Sequence, residues 1–493
     1  MGTACKQAVG KLPPDPVDTR FVRDMHDKLK KWSLNDRNIK FDDLWNLVCN
    51  RRTLREAWRR LKRNKGKRTP GIDGLTFKMI ENSIGGAAMF VEETLTMLQD
   101  GKYKPSPVNR RWIPKRGKPD KLRPLGIPTV KDRLVQMTLL IMLEPIFEAD
   151  FYPTSYGFRP KRNAFKAISE ITSILKTEAT PGSCWVIEGD IRACFDRIDR
   201  HLLMMAIRKR ITDKRILRLI LSFLKAGVME DGWIEKPVTG TPQGGIISPL
   251  LANIYLTALD ARYSTWTPNP HESAEDVKKR RTIHVTEGMP TFYIVRYADD
   301  FVVLAHATKA QAKQEKTALK EFLWSELKLE LSEEKTFISD PRDGIRFLGY
   351  DIQGIGDNIS LTIPPDKVLE AENFIKDTIH KATIKQQGIT ELTKVLNSKI
   401  AGWAAYFKYA HNATGIFRML DEALMTKMQI WLSEVFPHMK WGAIREKYFL
   451  ETPHGQTIRS GKARLRLFSQ TTMATLPMSR QAKDSKAYRG ECR

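Results

Sequence analysis

Apolar and polar positions divide the chain into a first part that mixes strands with helices and a second part that is helical. The run FYIVRYADDFVVL, 292 to 304, sets β-branched and aromatic residues on both sides of an Asp-Asp pair. It predicts a hairpin whose tight turn carries Asp299 and Asp300. A second short apolar strand, WVIEGD at 185 to 190, follows a Pro-Gly turn and ends in Asp190. In RRTLREAWRRLKRN, 51 to 64, Leu54, Ala57, Trp58 and Leu61 fall at i, i+3, i+4 and i+7, so one helical stripe packs inward. Residues 103 to 128 alternate apolar with basic around a Gly-Lys-Pro-Asp turn and predict another hairpin, with Lys115 and Arg123 on its two arms. Helices are expected over 132 to 147, amphipathic and broken near Pro145, and over 163 to 176, 200 to 209, 213 to 226 and 308 to 328. Another starts with Ser248 as N-cap and Pro249 at its first position.

Residues 1 to 19 read as a loose polar tail, and 264 to 290 as a surface insertion without assigned chemistry. Pro364-Pro365 punctuates the end of the mixed part. Beyond it, helices near 366 to 382 and 415 to 435 flank a stripe of Leu392, Val395, Leu396, Trp403 and Phe407, which predicts a three-helix bundle. Such a stripe is core. The fold class is α+β followed by an α-helical part, divided at 1–75, 76–363, 364–439 and 440–493.

Composition adds a partner. At 493 residues with 41% hydrophobic content, the chain can bury several cores, and its net charge of +25 is most easily borne beside a polyanion. Nucleic acid is expected. A membrane is not, because no apolar run approaches the ~18 residues that a span needs. Five widely spaced cysteines form no CxxC pair, and the first residues contain no apolar run of signal-peptide length. Gly2 does not signal myristoylation, since Lys6 stands where that pattern wants Ser or Thr. A reducing interior fits, with the bacterial cytoplasm expected and an organelle as the alternative. The helix at 51 to 64 offsets a crowd of cations, Arg51, Arg55, Arg59 and Arg63 among them, with Glu56 alone. Contact with RNA phosphates is the favoured reading over a solvated face. The last part, 440 to 493, interleaves aromatics with twelve Lys or Arg against four Asp or Glu, as nucleic-acid surfaces do.

The acidic residues suggest the chemistry. Adjacent carboxylates repel one another, and a divalent cation relieves them; a solvated turn is the alternative. Adjacent strand residues point to opposite faces, so a second acidic strand end is needed, and Asp190 supplies it. Asp190, Asp299 and Asp300 can together hold two Mg2+ ions about 4 Å apart, the arrangement used for nucleotidyl transfer.

Seven blocks in order extend this. They are LRPLGIPTVKDRLVQ (122 to 136), SYGFRPKRNAFKAI (155 to 168), DIRACFDRID (190 to 199), GTPQGGIISPLLANIYLTALD (240 to 260), YADD (297 to 300), LKLELSEEKTFI (327 to 338) and FLGY (347 to 350). The chain closely resembles the reverse transcriptases encoded by group II introns. That resemblance implies a right-hand polymerase with fingers and palm on an antiparallel sheet and a helical thumb, also called domain X. It implies two Mg2+ ions held by Asp190, Asp299, Asp300 and the backbone carbonyl of Ile191. It also implies that Lys115 and Arg123 touch the triphosphate of a dNTP, that Phe195 excludes a ribose hydroxyl, and that Gln243 lies over the nucleotide. Lys335 belongs near the phosphates or the primer end, with salt bridging to Glu333 or Glu334 as the other reading. Arg159 touches template phosphate or makes a structural pair. FLGY matches the primer grip. The expected partners are intron RNA, a DNA target and primer, and dNTP, with a homodimer left open. The tail lacks the paired cysteines and histidines of an HNH nuclease, so no second-strand cleavage is expected of it. The functional reading is cDNA synthesis during retrohoming together with help in splicing. The alternatives are a splicing-only RNA-binding maturase, or a domesticated reverse transcriptase used in defence or DNA repair.

Overall fold

In the computed structural model the arginine-rich run forms helix Arg51–Lys62, started by Asn50, whose side chain accepts from the Arg52 N–H. Leu54, Ala57, Trp58 and Leu61 are buried as expected. The structure describes residues 16–477 except 116–117, 178–183, 231–232, 236–239, 241–243, 268, 270, 355 and 357. Contacts gather the chain into two units, one of Met1–Ala167 with Gly189–Ile338, the other of Ile168–Glu188 with Ser339–Arg493.

In the first unit, helix Pro16–Asn35 starts inside the stretch expected to be a loose tail. Its first turn is tied down, because Asp18 is buried against Arg59 at 2.7 Å. Helix Val130–Glu148 packs against both Pro16–Asn35 and Arg51–Lys62. It runs through Pro145 without the expected break and is buried on nearly every side instead of being amphipathic. Packing all round offsets the single missing N–H. Strands Val108–Lys115 and Lys118–Ile127 pair antiparallel with Lys115 opposite Lys118, so Lys118, Pro119 and Asp120 of the expected Gly-Lys-Pro-Asp turn belong to the second strand. The first of them also pairs, in parallel, with Val228–Glu230. Helix Ser248–Arg262 begins one residue earlier than foreseen, with Ile247 rather than Ser248 at the cap. The expected surface insertion contains helix Ala274–Thr286, anchored through Trp266 and Thr267, which are buried.

Strand Thr291–Tyr297 pairs antiparallel with Asp300–His306, Tyr297 opposite Asp300, which leaves Ala298 and Asp299 as the turn. Beside Asp300–His306 lies the Gly189–Asp190 end of strand Cys184–Asp190, and next to that the start of Phe337–Ser339, the last two strands of a four-stranded sheet.

The second unit holds helices Pro365–Ile384, Ile389–Phe407 and Ala413–Val435. Leu392, Leu396, Trp403 and Phe407 are buried; Val395, expected among them, is exposed. FLGY is the turn between strands Ile345–Phe347 and Tyr350–Gln353, with Leu348 and Gly349 both at positive φ, as a two-residue hairpin turn demands. Past the bundle, the basic tail is folded: helix Trp441–Tyr448 leads into an antiparallel meander of Phe449–Thr452, Gly455–Ser460 and Ala463–Arg464. Phe468 then inserts among Phe374, Trp403 and Phe417, and the Asp421 carboxylate accepts from the Phe468 and Ser469 N–H groups at 2.6 and 3.0 Å. Among the described residues, no helix is long and apolar enough to cross a membrane.

Candidate active site

Close approaches at two glycines and a set of backbone hydrogen bonds position the acidic residues. Gly189 sits against the Phe301 ring so closely that a Cβ there would lie 2.2 Å from it, which places Asp190 beside the strand that begins with Asp300. Gly157 approaches the hairpin turn as tightly; an added Cβ would lie 2.3 Å from the Ala298 nitrogen. Only glycine permits either approach. The segment after Leu329 is fastened alongside, with Ser332 N–H donating to the Asp190 carbonyl at 2.8 Å and Arg192 N–H to the Glu330 carbonyl at 2.9 Å. Ile191 pairs with Leu331 there.

This fastening carries Lys335 to Asp190. Its Nζ donates to Asp190 Oδ2 at 2.6 Å, while Glu333 pairs instead with Lys316 and Lys320. The expected bridge to Glu333 or Glu334 is therefore not the one Lys335 makes. Burial, then the charge of Asp190, raises the Asp299 carboxyl above its usual range. Burial around Asp300, with Asp299 and Asp190 behind it, pushes that carboxyl up to about 7. The outer side of Asp300 is open to solvent, so the like charges are the part of this rise that matters for chemistry.

As the side chains stand, no three His, Cys, Asp or Glu groups among the described residues are gathered closely enough to hold a metal ion. The donor set nevertheless fits one. Three hard oxygen donors, two of them raised by the negative charge of their acidic neighbours and the third paired with an ammonium, are what a divalent cation would relieve.

The other expected residues fall into three groups. Phe195 is half-buried in the short helix Cys194–Arg197, just past Ala193 at φ 47°, and Arg123 is exposed on its strand. Lys115 ends its strand, and Gln243 lies outside the described residues. The flanks of Gln243 are held: Gly240 N–H donates to the Ile198 carbonyl at 2.9 Å, and Ile246 N–H to Gln136 Oε1 at 2.7 Å.

Arg159 is corrected. It is buried, forks onto Glu148 at 2.9 and 2.8 Å, and donates to the Tyr152 and Ser155 carbonyls, so its donors are spent inside the protein. Arg59 is likewise turned inward onto Asp18. Arg51 pairs with Glu92 at 2.7 Å and Arg55 approaches the same carboxylate at 3.8 Å, so the helix is less bare of acids than its own sequence suggests. Arg63 remains exposed, beside the exposed Lys65, Lys67 and Arg68 of the following turn.

The sequence reading missed Arg296, which is fully buried in a bidentate pair with Asp260 at 2.8 and 2.6 Å. The signal was present. An arginine in the middle of an apolar strand must have a partner, and the acid lay at the end of another apolar run.

Residues 113–352 match the family model "Reverse transcriptase (RNA-dependent DNA polymerase)", so the segment that holds the carboxylates belongs to that class of domain. Residues 373–449, the helical bundle and the start of the meander, match "Group II intron, maturase-specific domain". The chain belongs to the group II intron reverse transcriptase and maturase family. It is similar to protein YkfC of Escherichia coli K12, 36% identical over 72% of this chain and 94% of that one. It is also similar to the group II intron-encoded protein LtrA of Lactococcus lactis, 34% identical over 72% of this chain and 68% of that one. An uncharacterized 91 kDa protein in the cob intron of Schizosaccharomyces pombe is 29% identical over 83% of this chain and 56% of its own length.

Proposed function

We propose that the chain is an RNA-directed DNA polymerase that copies intron RNA into cDNA in retrohoming and assists splicing through its maturase domain. The observation that carries this reading is the meeting of Asp190 with Asp299 of the hairpin turn and Asp300 at the start of the neighbouring strand, close enough for the charge of Asp190 to act on both. Asp190, Asp299 and the Ile191 carbonyl hold the metal, and Asp300 is a weaker or indirect ligand. Two Mg2+ ions, when bound, would lower the pKa of the primer 3′-hydroxyl and offset charge on the departing pyrophosphate. Lys335 exchanges Asp190 for a phosphate oxygen of the dNTP, and Arg123 and Lys115 take others. Phe195 excludes a 2′-hydroxyl by bulk, and Gln243 covers the nucleotide. Arg63, with Lys65, Lys67 and Arg68, offers the barest cationic surface near the N-terminus for intron RNA. Arg51 and Arg55 add to it by exchanging Glu92 for phosphate. A DNA target, a DNA primer and a cytoplasmic setting complete the proposal.

The test is primer extension on an RNA template with dNTPs and Mg2+, run beside a splicing assay. Asp299→Ala should abolish extension and leave RNA affinity within about twofold. Undiminished extension by that variant would falsify the metal role. Phe195→Ala should raise rNTP incorporation relative to dNTP, and an unaltered ratio would remove its part as a gate.

A further inference from the structure

Arg296 spends all five of its N–H groups at one place. Its Nε and Nη2 donate to the two oxygens of Asp260, Nη2 also to Ser155 Oγ at 2.8 Å, and Nη1 to Asn253 Oδ1 at 3.1 Å and to the Ala298 carbonyl at 2.9 Å. The partners come from three separate stretches: Ser155 from the loop after the core helix, Asn253 and Asp260 from helix Ser248–Arg262, and Ala298 from the hairpin turn. These stretches are tied to one another as well. Asn253 Nδ2 donates to the Gly157 carbonyl at 2.9 Å, Arg296 N–H to the Thr154 carbonyl at 2.9 Å, and Tyr156 N–H to the Arg296 carbonyl at 2.8 Å.

A fully buried ion pair is a poor source of stability, since apolar residues of like volume serve as well or better. Its use must lie in what it orients. Ala298 stands at φ 60°, a left-handed conformation that a non-glycine residue adopts only under constraint. The Ala298 carbonyl belongs to the same planar peptide as the Asp299 N–H, so a donor that fixes that carbonyl fixes the direction in which Asp299 leaves the turn.

We propose that Arg296, held by Asp260 and Asn253, is a positioning residue that locks the strained Ala298–Asp299 peptide so that the Asp299 carboxylate faces the metal. The proposal rests on the metal role given above to Asp299, and the experiment separates the two. Mn2+ is titrated into the full chain without nucleic acid, and free Mn2+ is read by electron paramagnetic resonance for wild type, Asp299→Ala, Arg296→Lys, Asn253→Ala and the double variant Arg296→Lys with Ala298→Gly. Arg296→Lys keeps the charge but cannot fill five acceptors. It should weaken Mn2+ binding about tenfold and lower kcat for extension while KM for dNTP stays within about twofold. Glycine at 298 adopts the left-handed turn without strain, so the double variant should regain at least about threefold of that loss. Asn253→Ala, which spares the ion pair, should weaken binding about threefold and serves if Arg296→Lys does not fold. Wild-type Mn2+ affinity in Arg296→Lys or Asn253→Ala, or no recovery in the double variant, overturns the positioning role. Wild-type affinity in Asp299→Ala overturns the metal reading instead.

Discussion

At the scale of single residues, the raised carboxyls of Asp299 and Asp300 carry a stability cost that a bound divalent cation would remove. The Asp300 carboxyl is raised in the folded chain to about 7, against ~4 when unfolded. Between those values the folded state holds the proton more firmly, so the metal-free protein loses stability as pH rises through that window. Asp300→Asn should therefore raise the metal-free Tm by a few degrees at pH 8, with the gain vanishing near pH 4. Melting curves at both pH values check this, and an equal gain at both would mean that charge is not the cause. Arg159 shows the opposite kind of residue. Truncation to Ala leaves Glu148 without its fork and the Tyr152 and Ser155 carbonyls without this donor, and should cost about 3 kcal/mol by denaturant unfolding with RNA affinity preserved. Both of its readings were open in the sequence, because a buried arginine and a phosphate-binding one look alike until the carbonyls around them are known.

At the scale of elements, periodicity was a good guide wherever one face of a segment met the core and the other met water. The stripe on Arg51–Lys62 followed its spacing for that reason, and so did the bundle stripe at every position named for it except Val395, which is exposed. It misled where burial was total. Val130–Glu148 is packed on nearly all sides, so neither an amphipathic pattern nor a proline near its end described it. The meander after residue 448 was illegible because its strands are short and rich in polar residues, and their inward apolar side chains, Phe449 and Ile458, are few. The acidic residues, by contrast, stood out before any fold, since an Asp-Asp pair between strand-forming runs and an acid at another strand end are conspicuous in chemistry as well as in pattern; the turn itself lies one residue earlier than expected, at Ala298 and Asp299. The meander's attachment makes a prediction. Phe468 is buried among three aromatic rings of the bundle, and Phe468→Ala should cost about 3–5 kcal/mol. Unfolding of the variant by urea would show the loss, and a change below about 1 kcal/mol would mean that the tail only rests on the helices.

At the scale of the whole molecule, charge decides which partner the chain can meet and how that meeting responds to salt. With a net charge of +25, RNA binding should weaken steeply as salt rises, because each neutralised phosphate releases counterions. Replacing Arg63, Lys65, Lys67 and Arg68 together by Gln should flatten the slope of log K against log salt by about 3. An unchanged slope would move the RNA surface elsewhere. Much of the remaining positive charge is answered internally, by Glu92, Glu56, Asp18 and Glu81 around the arginine-rich helix alone. The same economy reaches the acids of the hairpin and its neighbouring strand through Lys335, whose ammonium pairs with Asp190. A stock of this protein kept in chelator should for that reason stay folded over long storage and regain activity promptly when magnesium is returned.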